Sequence, residues 1–156
     1  MLKCVKSGGQ TGVDESSLFT AKQFGFLTGG VMPKGFKTLD GPRPDLAKEY
    51  NLTEHSSPNY PPRTFQNVRD SDATVRLFKV KESAGEICTL KAIKQYNKLY
   101  FDVDFNDPPE PKELAEWLHS FEIVNFAGNS EKTTKGIFKA TNIYLSEVFR
   151  LYFSHI

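Results

Sequence analysis

Eight residues near the start of this 156-residue chain have the composition of an anion-binding turn: Ser7-Gly8-Gly9-Gln10-Thr11-Gly12-Val13-Asp14. Three glycines within five positions let the backbone approach a ligand closely and reach positive φ without Cβ strain. A short apolar-alternating run, Leu2–Lys6, precedes the turn and a helical pattern to about Phe24 follows it. Strand, glycine loop and helix in that order aim backbone N–H groups and the positive end of a helix dipole at one point. Thr11-x-x-Asp14 also reads as a capping box. The competing reading is a tight turn in which Asp14 serves only as a cap.

Two further turns have similar chemistry. Ser83-Ala84-Gly85-Glu86, with Thr89 behind it, and Gly128-Asn129-Ser130, running on to Thr134, each follow a strand pattern and open a helix. Lys34, Arg63, Lys132 and Lys135 lie in or beside loops and are candidate partners for an anion; Arg63 is favoured because a guanidinium forks onto phosphate. Asp40 and Asp72 could pair those cations or hold a hydroxyl or amine, or could simply be turn residues. Neither common nucleotide motif is present. Gly8–Gly12 lacks the Gly-Lys-Ser/Thr ending of a P-loop, does not match G-x-G-x-x-G, and no acidic residue ends the second strand to hold a ribose hydroxyl.

The elements that must position these turns follow from periodicity. Strands are expected at Leu2–Lys6, Phe26–Val31, Ala73–Lys79, Leu99–Val103 and Glu122–Ala127. Helices are expected from Gly12 to Phe24, over one or two turns after Pro44, across Arg63–Asp70, from the Glu82–Gly85 turn to about Asn97, across Lys112–Ser120, and from Thr134 to Phe153. Leu52–Pro62 reads as an irregular crossing. Strands alternating with helices make an α/β protein: three layers, a mainly parallel sheet of about five or more strands, helices on both faces. Every strand-to-helix loop of a parallel sheet leaves from the carboxyl edge, so Ser7–Gly12, Ser83–Thr89 and Gly128–Thr134 should converge there. Residues 1–156 read as one domain.

Composition narrows the partners. A formal net charge of +1 gives no ground for binding nucleic acid or an anionic membrane. Two cysteines, Cys4 and Cys88, form neither a disulfide framework nor a metal-ligand spacing, and His55, His119 and His155 are scattered, so no structural metal is expected. Cys88 sits near a helix start, where a thiolate could be stabilised. No signal segment or membrane-spanning run is apparent, and the cytoplasm is the expected compartment. The final helix carries Ile137, Phe138, Ile143, Tyr144, Leu145, Val148, Phe149, Leu151, Tyr152 and Phe153, more than one buried face requires, which suggests a homodimer through that helix or a deeply buried one.

Taken together, four motifs resemble the "putative molybdenum carrier" family, a circularly permuted branch of the Rossmann-like SLOG superfamily. They are Ser7–Asp14, Pro33-Lys34-Gly35, Asp40-Gly41 and Asn67–Thr74; Asn125–Gly128 followed by Gly136-Ile137 resembles its third loop. The resemblance spans nearly the whole chain. It implies a parallel sheet of five or more strands and a phosphorylated ligand, either a molybdopterin-type molybdenum cofactor or a nucleotide derivative. By motif position it places Gly8, Gly9, Gln10, Thr11, Asp14, Arg63, Ser71 and Asp72 around that ligand. Two loops depart from the family pattern. Ser83-Ala84-Gly85-Glu86 stands for a Ser-Gly-Gly-Thr type loop, and an Ala methyl and a carboxylate there would hinder an anion. Asn129-Ser130-Glu131-Lys132 stands where Pro and Arg are usual.

Two functional readings result. One is a non-catalytic binding or carrier protein for a phosphorylated small molecule, held by Ser7–Gly12, Asp14, Lys34, Arg63, Ser71, Asp72, Ser83, Gly85, Thr89 and Gly128–Ser130. The other is a hydrolase of nucleotide N-glycosidic bonds, in which carboxylates and an arginine stabilise an oxocarbenium-like sugar; Asp14, Asp72 and Arg63 are the candidates, with Glu86 a further carboxylate. The Pro-Gly-Gly-x-Gly-Thr-x-x-Glu pattern of such hydrolases is absent, which favours the carrier.

Overall fold

The computed structural model describes residues 1–154; His155 lies outside them. The chain runs β1 (Cys4–Lys6), α1 (Val13–Gln23), β2 (Leu27–Gly29), β3 (Val31–Met32), β4 (Lys37–Thr38), β5 (Gly41–Pro42), α2 (Pro44–Tyr50), β6 (Thr53–Glu54), α3 (Tyr60–Arg69), β7 (Ala73–Phe78), α4 (Ala84–Gln95), β8 (Leu99–Asp104), α5 (Pro111–Leu118), β9 (Ile123–Gly128) and α6 (Ile137–Ser154). Five strands form one sheet in the order β2-β1-β9-β7-β8, with every pairing parallel. The protein is thus a Rossmann-like α/β fold.

Strand alternation sorts the core. Val5, Val75, Leu77, Val103, Val124 and Phe126 point to one face, where they pack with α1, α5 and α6. Thr74, Arg76 and Asn125 point to the other, which α3 and α4 cover through Val68, Ala92 and Ile93. Arg76 is buried there, forked onto Asp102 with its Nη1 donating to the Glu86 carbonyl, so its charge is compensated and it braces the first turn of α4.

Two small pairings escape any sequence period. β3 runs parallel to β6, and β4–β5 is a two-residue hairpin. The Leu52–Pro62 crossing therefore contributes β6, and α3 begins at Tyr60 with prolines in its first turn, three residues before the expected start. Asn67 acts as a surrogate strand for β3: its Nδ2 donates to the Val31 carbonyl (3.0 Å) and its Oδ1 accepts from the Val31 N–H (2.9 Å).

Helix α6 lies between α1 and α5 and touches both. Its apolar surplus is largely taken up inside the chain: Phe138 packs on Phe19, and Tyr144 packs on Phe105 and donates to the Pro109 carbonyl, leaving Ile143 and Phe153 exposed. Near its end the buried Tyr152 hydroxyl accepts from the Leu2 N–H at 2.8 Å. Tyr152→Phe strands that N–H and is expected to cost about 1–3 kcal/mol by urea unfolding, against near zero if the hydroxyl is idle.

Candidate functional site

The two sides of the sheet diverge between β7, whose loop leads to α4 on one face, and β9, whose loop leads to α6 on the other. Such a switch point opens a crevice at the carboxyl edge. A cavity of about 320 Å³ lies there, lined from the first loop by Gln10 and Asp14, from the second by Ser83–Glu86, Cys88 and Thr89, from the third by Ala127, Gly128, Ser130 and Thr133, and from α3 by Tyr60, Pro61, Arg63 and Thr64, with Leu39 at the β4–β5 hairpin. That is the size of a pocket for one small ligand.

The first loop supplies less than its composition suggests, because its own side chains consume its donors. The Gly9 N–H donates to Ser7 Oγ (3.3 Å), Gln10 N–H to Asp14 Oδ2 (3.2 Å) and Thr11 N–H to Gln10 Oε1 (3.0 Å). Val13 N–H donates to the Asn129 carbonyl of the third loop (3.1 Å). The Asp14 carboxylate occupies the place expected for a bound anion. The Thr11–Asp14 capping box is not formed either. Gly12, at φ 85°, is the N-cap with no side-chain cap bond, and Thr11 Oγ1 accepts from Glu131 N–H instead. Ser7, Gly8, Gly9, Thr11 and Gly12 thus shape the wall without lining the cavity.

Asp14 is 4% exposed, and burial pushes its carboxyl up to about 6, against the opposing pull of the Arg63 charge and the Gln10 and Gly8 backbone N–H groups. Glu86 is 2% exposed. Burial raises its carboxyl too, opposed by hydrogen bonds from Ser83 and Asn129 and reinforced by the Asp14 charge. Its Oε2 accepts from Asn129 Nδ2 at 2.6 Å and from the Ser83 hydroxyl, and Ser83 Oγ in turn accepts from the Glu86 N–H. Ser83-x-x-Glu86 is therefore a helix-start signature. The carboxylate expected to intrude is instead pinned at the cavity wall by Asn129, which itself stands just behind that wall, its Oδ1 accepting from the Lys79 and Val80 N–H groups.

Arg63 is the cation of the site. Its guanidinium lies against the Gly8 backbone, where a Cβ would come within 2.8 Å of Cζ, and its Cζ is 5.4 Å from the Tyr60 ring centre. Its hydrogen bond among the described residues runs from Nη1 to Thr64 Oγ1, and Nε is buried without a partner. Cys88 also lines the cavity, but burial raises its thiol, so the helix start does not supply a thiolate there.

The structure separates several expected site residues from this cavity. Ser71 and Asp72 precede β7 and so lie at the amino edge of the sheet: Ser71 Oγ donates to the Asn67 carbonyl, and Asp72 Oδ2 accepts from the Glu122 and Ile123 N–H groups at the start of β9. Asp72 is a brace between strands, so its proposed catalytic role is corrected. Lys34, in a segment tied to the Ser57 carbonyl, and Asp40, Lys132 and Lys135 do not line the cavity. Tyr60, Thr64 and Thr133 were not anticipated; a helix start at Tyr60-Pro61-Pro62 would have put Tyr60, Arg63 and Thr64 on one face. Among the described residues no group of three or more His, Cys, Asp or Glu is placed to hold a metal ion, and no helix is long and apolar enough to cross a membrane.

The same architecture occurs in a crystal structure from Syntrophus aciditrophicus described as "putative molybdenum carrier protein", which superposes with a TM-score of 0.84 at 29% identity over 95% of this chain and 94% of that one. No curated protein matches the chain. Residues 5–149, holding all three loops, α3 and most of α6, match the family described as "Circularly permutated YpsA SLOG family", and the chain belongs to that family.

Proposed function

We propose that this protein binds a phosphorylated small molecule in the carboxyl-edge cavity and carries it without chemical change. The observation that supports this best is Arg63, a guanidinium at the cavity wall whose one hydrogen bond among the described residues runs from Nη1 to Thr64. With Nη1 on Thr64 and Nε covered at Gly8, Nη2 is the guanidinium nitrogen left to donate to a phosphate oxygen. The phosphate therefore sits on Arg63, and not in the first loop, whose Gly9, Gln10, Thr11 and Val13 N–H groups are already used. The cargo is either a molybdopterin-type compound, in keeping with the name of the Syntrophus aciditrophicus structure, or a nucleotide derivative.

Thermal shift with molybdate, nucleotides, ADP-ribose and pterins tests the reading; a ligand at 100 times its dissociation constant adds about 2.7 kcal/mol of stability. Arg63→Ala is expected to weaken the responding ligand about 10- to 100-fold, the loss of charged hydrogen bonds to one group. A panel that leaves the melting temperature unmoved, or binding indifferent to Arg63→Ala, overturns it. The two buried carboxylates favour a second reading, N-glycosidic hydrolysis with Asp14 or Glu86 stabilising the sugar cation. Release of free base from nucleoside monophosphates, abolished by Asp14→Asn, would establish that reading in place of the first.

A further inference from the structure

The cavity that holds Arg63 also holds two carboxylates, and a ligand that was only an anion would meet one attraction and two repulsions there. Glu86 is the more telling of the pair. Its Oε2 is fully used by Asn129 and Ser83, whereas its Oε1 accepts no hydrogen bond among the described residues, although the side chain is almost wholly buried at the cavity wall. Asp14 retains acceptor capacity as well, since a carboxylate offers about four lone-pair sites and Gln10 and Gly8 take up only part of them. When charged, carboxylates accept and cannot donate, so the group that completes this wall then brings O–H or N–H donors of its own. A cavity of about 320 Å³ has room for a phosphate and one ring or sugar beside it.

We propose that Glu86, assisted by Asp14, recognises paired hydrogen-bond donors on the part of the ligand remote from its phosphate. The ligand class is then a phosphorylated compound bearing adjacent donors, with a sugar diol and an amino-substituted heterocycle as the two sources of that chemistry. This rests on the phosphate reading of Arg63 and narrows it. A site built around buried acceptors rejects an analogue lacking the donor far more strongly than an apolar pocket rejects a missing methylene, because the acceptors are left unpaired.

Calorimetric titration at pH 7.5 with two matched pairs tests the assignment. Ribose 5-phosphate against 2-deoxyribose 5-phosphate removes one hydroxyl, and guanosine 5′-monophosphate against inosine 5′-monophosphate removes one amino group. The intact protein is expected to favour the donor-richer member of at least one pair about tenfold or more, and the pair that responds identifies the source. Glu86→Gln is expected to bring the members of that pair within about twofold of each other. It should bind inorganic phosphate, which has neither diol nor amine, more tightly than the parent, because a negative charge has left the cavity. Asp14→Asn, which leaves the Ser83 and Asn129 contacts of α4 untouched, serves where Glu86→Gln loosens the helix start, and is expected to reduce the discrimination in the same direction. Equal affinity within both pairs, or discrimination that survives both substitutions, overturns the proposal while leaving the phosphate site standing. If none of the five probes binds, the phosphate reading of Arg63 fails and this one fails with it.

Discussion

Gly128→Ala is expected to cost about 3 kcal/mol or more, enough to remove much of the folded population of an ordinary domain. A Cβ built on Gly128 would lie 1.9 Å from the Leu77 carbonyl oxygen and 2.7 Å from Val13 Cγ2. The first of these is backbone, on the strand paired with β9 at this position, so no rotamer change relieves it. β7 and β9 would have to part where the Asn129 N–H bonds to the Leu77 carbonyl, and that movement carries away the Asn129 carbonyl that holds the Val13 N–H. One methyl group therefore disturbs three of the cavity's walls. Urea unfolding gives the measure, with Gly85→Ala as the contrast: nothing lies within 4 Å of a Cβ there, and alanine favours the helix, so its effect should stay within about 1 kcal/mol. A Gly128→Ala protein as stable as its parent would mean that the two strands and α1 are not this closely apposed.

Asp14→Asn is expected to stabilise the protein above pH 6, by about 2–3 kcal/mol. The carboxyl ionises near 6 in the folded chain and near its ordinary 3.8 in the unfolded one, because burial disfavours the charge more than Arg63 and the backbone N–H groups favour it. Between those two values the folded state holds a proton that the unfolded state has lost. Stability therefore falls as pH rises through that window, and levels off above it. An asparagine keeps an oxygen for the Gln10 N–H and has no charge to bury. The variant's advantage should vanish below pH 4, where the parent's carboxyl is neutral in both states. Denaturant midpoints at pH 4, 5, 6 and 7.5 read this directly, and a parent and variant that differ by the same amount at all four would refute it. A stabilising substitution at a cavity-facing residue is also what a carboxylate buried at an electrostatic cost predicts.

The sheet was legible in the sequence because its strands announce themselves. Ala73–Phe78 and Ile123–Gly128 are short apolar runs bounded by polar turns, and the helices between them carry stops and starts such as Gly25, Ser83 and Pro111. That three loops meet at one edge follows from parallel topology alone. What the sequence could not disclose was how those loops spend their hydrogen bonds. Nothing local tells that Asp14 turns back to its own loop, or that Asn129 reaches across to Glu86, since both depend on contacts that only the packed sheet creates. Asn67–Thr74 misled for a different reason. Asn67, Ser71 and Thr74 are buried while Asp72 is exposed, and a polar motif looks the same whether it binds a ligand or the chain itself; here Asn67 holds Val31, and Asp72 holds the start of β9. Position relative to the strand was the available signal, because a residue just before a parallel strand belongs to the edge opposite the cavity. β3, β4, β5 and β6 have only two residues each, too few to carry any period.

The strand order has a consequence for the newborn chain. β1 leaves the ribosome before the other four strands of its sheet, yet one of its two neighbours is β9, some 120 residues later. Until Ile123–Gly128 has been made, the β1–α1–β2 unit waits with a bare strand edge, and the Val13 N–H waits for the carbonyl of Asn129. The Leu2 N–H waits longer still, for a tyrosine in the last turns of α6. Contacts this distant make folding slow and leave apolar strands open to wrong partners meanwhile. The cavity is thus among the last parts of the molecule to exist, and a chain cut short before the third loop has no means of closing it.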